Sequence, residues 1–345
     1  MKKNLWINIT FQVGALILAL LITTLILIAV GAPPLKTYEN ILAGAFGSSN
    51  NVMAVLITWS PLLLTTAGVL VTFSTGQWNI GIEGQMALGA IFATWVLRLL
   101  QNTNVPPALI IALGILAGMV GGALWAALAG ALKTFGGVNE IFGGLGLNFV
   151  STALTIYLVF GPWKRPGTGS MSGTQPFDKA LWLPTLPGTE LSLWALGLSL
   201  LAIIVIFFLL RGTHFGLRLK AVGKNPKAAF LMGVPTWQYS MLAFILCGTL
   251  AGLAGAIQMT GVYHRLLPNI SNGYGFLGLL VAMLINYQAI WAAPVAFFFA
   301  ALNIGGIQLQ ILYKLDSSFA GVLQDMLVLV VLLSEGARQR FLKNR

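Results

Sequence analysis

The sequence predicts an all-α integral membrane protein: about ten transmembrane helices, some interrupted, related by an inverted repeat. Three observations predict this class. Hydrophobic residues make up 57% of the 345-residue chain and charged residues only 8%, against about 25% charged in a soluble domain. Runs of about twenty apolar residues recur, each long enough to cross a hydrocarbon layer about 30 Å thick. The 19 Lys and Arg residues gather between those runs. No stretch reads as a soluble domain, so residues 1–345 form a single transmembrane domain.

Spans are expected at roughly 11–31, 52–73, 81–99, 107–132, 140–160, 191–210, 237–260, 274–290, 292–312 and 319–335. The start, "MKKNLW" followed by an apolar run, resembles a signal peptide, but its apolar part is too long for a typical h-region. It reads as an uncleaved first span, with cleavage near Ala32 as the alternative. Basic residues of short loops set the orientation. With the N-terminus in the cytoplasm, that side collects twelve of the 19: Lys2, Lys3, Lys133, Arg211, Arg218, Lys220, Lys224, Lys227, Arg338, Arg340, Lys343 and Arg345. Both termini are therefore expected in the cytoplasm of a bacterial or archaeal-type plasma (inner) membrane.

Two loops are long. Residues 161–190 are rich in Pro, Gly, Ser and Thr and are expected outside. Residues 211–236 are basic and expected inside. Within the second, "PKAAFLMG" opens on Pro226, a favourable first helical residue, and closes on Gly233 as a C-cap, which predicts a short helix at the cytoplasmic surface. The glycines of "GILAGMVGG" (114–122) and "GTLAGLAGA" (248–256) put small residues four apart on one helix face, a pattern for close packing of helices. "NIGIEGQMALGA" near 79 and "NISNGYGFLGLLVAML" near 269 both open Asn-Ile and carry glycines into an apolar run. The spans they open run in opposite directions. Corresponding glycine-interrupted segments of this kind mark an inverted repeat and often the substrate site of a transporter.

Several functions are excluded. The net charge of +11 lies in loops, where it meets lipid headgroups rather than nucleic acid. The lone Cys247 and the separated His214 and His264 make neither a disulfide framework nor a metal cluster. Gly223–Lys224 fails the phosphate-loop pattern because position 218 is Arg and position 225 is Asn. This chain is not an enzyme, needs no cofactor of its own and hydrolyses no ATP.

The polar residues inside apolar runs remain. Glu83 is the clearest, since a carboxylate at membrane depth costs about 2.5–3.5 kcal/mol on insertion scales and belongs in a bundle interior or a wet cavity. Two compatible readings stand: it caps and packs the start of its own helix, or it hydrogen-bonds a polar solute. Asn79, Gln85 and Asn148 are candidates for the same lining, and Trp78 offers a flat ring or an interface anchor. Asn139, Glu140 and Asn148 form a second polar set near the fifth span, with Glu140 expected at the interface and Asn148 deeper, where it can bond another helix. Asp325, in the last span, is the other buried acid expected.

Four motifs occur in one order: "NIGIEGQMALGA", "GLRLKAVGKNPKAAFLMGV", "AGLAGAIQMTGV" and "ISNGYGFLGLLVAML". Together they resemble permease subunits of ABC importers in the branched-chain amino acid and simple-sugar group, most closely its nucleoside branch, over about residues 50–335. The resemblance implies two permease subunits, the second a copy or a paralogue. It implies two cytoplasmic ATPase subunits, which bind ATP and Mg, and an extracytoplasmic solute-binding protein. Gly223, Asn225, Pro226, Ala228, Ala229 and Gly233 match the coupling element that docks on the ATPase. Trp78, Asn79, Glu83, Gln85 and Asn148 are expected along the path of a nucleoside or related ribose-containing or simple-sugar solute. The rivals are an ion-coupled secondary transporter, with Glu83 and Asp325 as coupling acids, and a scaffold that transports nothing.

Overall fold

A computed structural model describes residues 2–167, 173–313 and 319–343. Its elements are helical: α1 (Lys2–Ala29), α2 (Pro34–Phe46), α3 (Ser49–Ser74), α4 (Ile82–Leu100), α5 (Pro107–Thr134), α6 (Glu140–Phe160), α7 (Leu193–Gly212), α8 (His214–Lys224), α9 (Pro226–Leu231), α10 (Thr236–Ile257), α11 (Tyr274–Leu284), α12 (Ala292–Tyr313) and α13 (Phe319–Lys343). Part of the 161–190 loop and Lys314 lie outside the described residues.

Among the described residues, six helices are long and apolar enough to cross a membrane, and a seventh crossing arises if α1 and α2, bent by 107°, make one broken span. Helices stand at all ten expected positions, but they are not ten complete spans. The expected eighth span, 274–290, is corrected: α11 stops at Leu284, and Asn286 and Tyr287 follow with φ of 49° and 61°. Two successive left-handed residues cannot continue a right-handed helix. At eleven residues, α11 rises only about 16 Å. Helix α4 carries Glu83, Gln85 and Arg98 in a short run, and most of its surface is covered by protein.

The chain divides into two compact units, residues 1–55 with 297–345 and residues 56–296. In the first, Ile41, Leu309 and Leu323 form a small core, and Gly44 lies against the backbone of Gly305. Asp325 is exposed on α13, which corrects the expectation of a buried acid. The side chain next to it, Gln324, is the buried one, and its Nε2 donates to the Phe299 carbonyl at 3.1 Å.

The second unit is built on α4, α5 and α10. Gly118 and Gly122 of α5 meet Gly248, Gly252 and Ala256 of α10, and Gly89 of α4 meets the same Gly252. A methyl group on Gly252 would strike the backbone of Gly118 and Gly122. The glycine stripes of 114–122 and 248–256 therefore pack against each other and bring three helix backbones into contact. Helix α10 continues into a π-helical turn, Gln258–Tyr263.

Residues 173–183 are strapped to this turn. The Leu183 amide donates to Thr260 O at 3.0 Å, Phe177 N to His264 O at 3.0 Å, and Trp182 stacks flat on His264 with centroids 3.6 Å apart. Burial holds the His264 imidazole below the usual histidine range, while the Thr260 carbonyl and Glu190 pull the other way. A depressed folded pKa means that the unfolded chain binds more protons, so stability falls as pH drops below the ordinary value of 6.5. Proteolysis within 173–183 is expected to speed up between about pH 7.5 and about pH 5.5, and to lose this dependence in His264→Phe, which keeps an aromatic ring. Equal rates in the native chain at both pH values would contradict this.

Candidate functional site

The site begins where α3 ends. Gly76 turns the chain with φ +72°, and residues 75–81 run without helix into α4. This break is held by side chains. Asn79 and Gln85 exchange two amide hydrogen bonds, each 2.9 Å, and both are buried. Asn79 also donates to Cys247 Sγ on α10 at 3.1 Å. Asn148 of α6 reaches across, its Nδ2 donating to Ile80 O at 2.9 Å and its Oδ1 accepting from Gly84 N at 2.8 Å. One amide thereby satisfies two backbone groups that a broken helix leaves free. The approach needs Gly81 and Gly144, whose backbones touch. Asn139 caps α6, accepting from Ile141 N at 2.9 Å, and Glu140 pairs with Lys133 at the same end.

Glu83 stands in the first turn of α4, but its hydrogen bond goes to another helix. Its Oε1 accepts from the amide of Phe276 at 3.0 Å, with Ser271 and the Gly275 amide beside it. The N-termini of α4 and α11 therefore converge on one carboxylate, which answers the positive ends of both dipoles. Gly275 has no room for a side chain here: a Cβ would lie 3.0 Å from Glu83 Oε1 and 2.9 Å from Ile82 Cγ2. Tyr274 O accepts from Thr65 of α3 at 2.9 Å. So α11 starts deep in the unit, level with the body of α3, and the two Asn-Ile segments open helices that meet.

Close by, the Nε1 of Trp125 is buried without a partner among the described residues. A Cβ on Gly84 would lie 2.9 Å from that nitrogen, 2.9 Å from Asn148 Oδ1 and 2.8 Å from Ser151 Oγ. Three polar groups thus face a backbone position that lacks a side chain. Trp78 is half-buried and meets Phe73 edge-on at 5.1 Å, and Phe73 packs on Tyr287 at 4.6 Å.

The second candidate group forms two helices rather than one. Thr213 caps α8, accepting from Gly216 N at 3.0 Å. Asn225 caps α9, accepting from Ala228 N at 3.0 Å, and Pro226 supplies the preset first position. Gly233 follows α9 with φ +82°, the left-handed stop that glycine permits. Ala229 is buried, so it packs α9 rather than presenting it. Asn225, Pro226, Ala228 and Gly233 are exposed, but the large apolar side chains exposed beside them are ones the motif did not single out: Phe230, Leu231 and Met232, at 64%, 85% and 84%. Their adjacency within "PKAAFLMG" was the available signal. Gly223, at the end of α8, lies against Ser74, Thr75 and Gly76. The α8–α9 element thus touches the turn that leads into Trp78 and Asn79.

Long apolar helices around an interrupted entry into a buried polar cluster are the architecture of a polytopic membrane protein. The family described as "Branched-chain amino acid transport system / permease component" matches residues 51–334. This chain belongs to that family and is an ABC transporter permease, a transport component rather than an enzyme. It is 29% identical over 340 residues to the glucose ABC transporter permease protein TsgB13 of Haloferax volcanii, covering 96% of this chain and 88% of that one. It is 27% identical to the guanosine ABC transporter permease protein NupP of Bacillus subtilis, covering 94% and 93%. It is also 27% identical to the nucleoside ABC transporter permease protein NupB of Lactococcus lactis, covering 84% and 82%.

Proposed function

We propose that residues 1–345 act as one permease domain of an ATP-driven importer, moving nucleosides or related ribose-containing or simple-sugar solutes by alternating access. The observation that carries this reading is the meeting of the α4 and α11 N-termini at Glu83. Paired interrupted helices that meet inside a bundle are how transporters place a solute site. In this reading the ten segments form two inverted halves, with α11 as a half-span. Trp78, Asn79, Glu83, Gln85 and Asn148 set the polar lining; Trp78 and Asn148, only partly buried, present it, and the others hold its shape. The partnerless Trp125 Nε1 adds a donor for a hydroxyl-rich solute.

Coupling runs through α8 and α9. Two cytoplasmic ATPase subunits bind ATP and Mg and seat the α9 tips. Gly223, Asn225, Pro226, Ala228, Ala229 and Gly233 shape that element, and Gly223 passes its movement to Gly76. A second permease, copy or paralogue, completes the pathway, and an extracytoplasmic binding protein selects the solute. The relatives named for nucleosides, guanosine and glucose support this substrate range. Both termini then lie in the cytoplasm. The ion-coupled alternative is weaker, because Asp325 is exposed and Glu83 is engaged by helix amides.

The test is uptake of labelled nucleoside, with ribose and glucose in parallel, into right-side-out vesicles carrying this chain and the products of its neighbouring genes. ATP-dependent nucleoside uptake that survives collapse of ion gradients is expected. Uptake of sugar alone would move the substrate class. Uptake that follows the ion gradient and ignores ATP would overturn the proposal.

A further inference from the structure

A cavity of about 340 Å³ lies where α7, α8, the end of α3 and the α11–α12 connection meet. Its wall is of two kinds. Arg211 and Lys220 supply two cations, with the Tyr287 phenol and Gln288 beside them, while Phe207 and Ile290 supply apolar surface. Neither cation is paired with a carboxylate among the described residues. The Arg211 guanidinium sits over the Phe207 ring, 5.5 Å from its centroid, which places it at the seam of the two surfaces. The Tyr287 phenol is protonated at neutral pH and able to donate, and burial raises it further. Tyr287 is also held at φ +61°, a conformation costly for an aromatic residue and one that collects at functional sites.

The approach to the cavity has a direction. Leu201, Ile204, Val205 and Phe208 form an exposed stripe along α7 at helical spacing, and it ends at Arg211. Ten residues of helix rise about 15 Å, which is about half the hydrocarbon thickness and so the depth of one leaflet. A free phosphate would use the cations and leave the apolar wall and the stripe unused. A phospholipid uses both, with headgroup phosphate on Arg211 and Lys220 and an acyl chain along α7. Paired cations favour a headgroup of net negative charge. We propose that this cavity binds one anionic phospholipid. It sits against Ser74, one turn from the Gly76–Gly223 contact, so the bound lipid braces the joint between α8 and the interrupted segment. This last point rests on the coupling route proposed above; the lipid site rests only on α7 crossing the membrane.

The experiment is native mass spectrometry of the delipidated full-length chain, titrated with phosphatidylglycerol or phosphatidylcholine. One phosphatidylglycerol adduct is expected at concentrations where phosphatidylcholine gives none. Arg211→Gln with Lys220→Gln should weaken it about tenfold or more. Arg211→Lys with Lys220→Arg, which keeps both charges, should retain it, as should Lys227→Gln at the exposed α9. Equal binding of the two lipids, or an adduct unaffected by the double Gln change, would overturn the site. Displacement by millimolar inorganic phosphate would reassign it to a soluble phosphate and overturn the lipid. The assay contains neither solute nor ATP, so a wrong substrate class leaves its result untouched.

Discussion

Leu231→Glu, alone or with Phe230→Glu, is expected to cut ATP-driven uptake by about tenfold or more while the chain still reaches the membrane. The two residues stand 85% and 64% exposed at the end of α9, beside Met232 at 84%. Three adjacent large apolar side chains on a polar surface mark a partner site. Removing a hot-spot anchor from a desolvated interface costs at least about 2 kcal/mol, or roughly thirtyfold in affinity. A charge adds an unpaired ion to the same pocket. The measurement is recovery of co-expressed ATPase subunits with the purified permease, alongside uptake. The fold should survive, because neither side chain supports the core. Ala229→Arg makes the contrast: Ala229 is buried, so that change should lower thermal stability as well as docking. Full uptake with both glutamates in place would remove α9 from the coupling route.

Glu83→Ala should have a comparably large effect by another cause. It leaves the Phe276 amide at the start of α11 without its acceptor. A hydrogen bond contributes about 0.5–1.5 kcal/mol net, and a buried donor left unmade costs about 1–3 kcal/mol. The start of α11 should loosen, the melting temperature should fall by several degrees, and uptake should fall about tenfold or more. Glu83→Gln keeps one acceptor oxygen, so it should restore most of the stability. If it restores stability but not uptake, the charge itself serves transport. If it restores both, Glu83 is a pin between two helices. Hydrogen exchange across 273–278 separates the cases, since only loss of the pin speeds it. Unchanged melting and exchange in Glu83→Ala would contradict the geometry.

Much of the fold was legible because composition and periodicity act locally. Twenty apolar residues declare a span whatever they pack against. The α9 start was legible for the same reason, since Asn225 and Pro226 make a cap with their own neighbours. The glycine stripes of 114–122 and 248–256 announced close packing, and they pack on each other. One failure lies at a break and one on a helix face. The 274–290 run is apolar enough for a span, but left-handed residues at 286 and 287 end its helix. Asp325 was placed in a span by hydropathy, which carries no information about which face of α13 it occupies.

By itself, the sequence determined that this chain is a membrane-embedded bundle of helices, that its basic loops set it apart from its apolar runs, and that two Asn-Ile segments interrupt helices. Each of these follows from the free energy of moving a residue out of water, which depends on residue type and near neighbours. Tertiary structure alone decided that Glu83 is answered by the amide of residue 276, that Asn148 spans Ile80 and Gly84, and that Gly223 rests on the turn at Gly76. These are pairings between groups tens to hundreds of positions apart. Their energy lies in distance and direction, which exist only once the helices have packed.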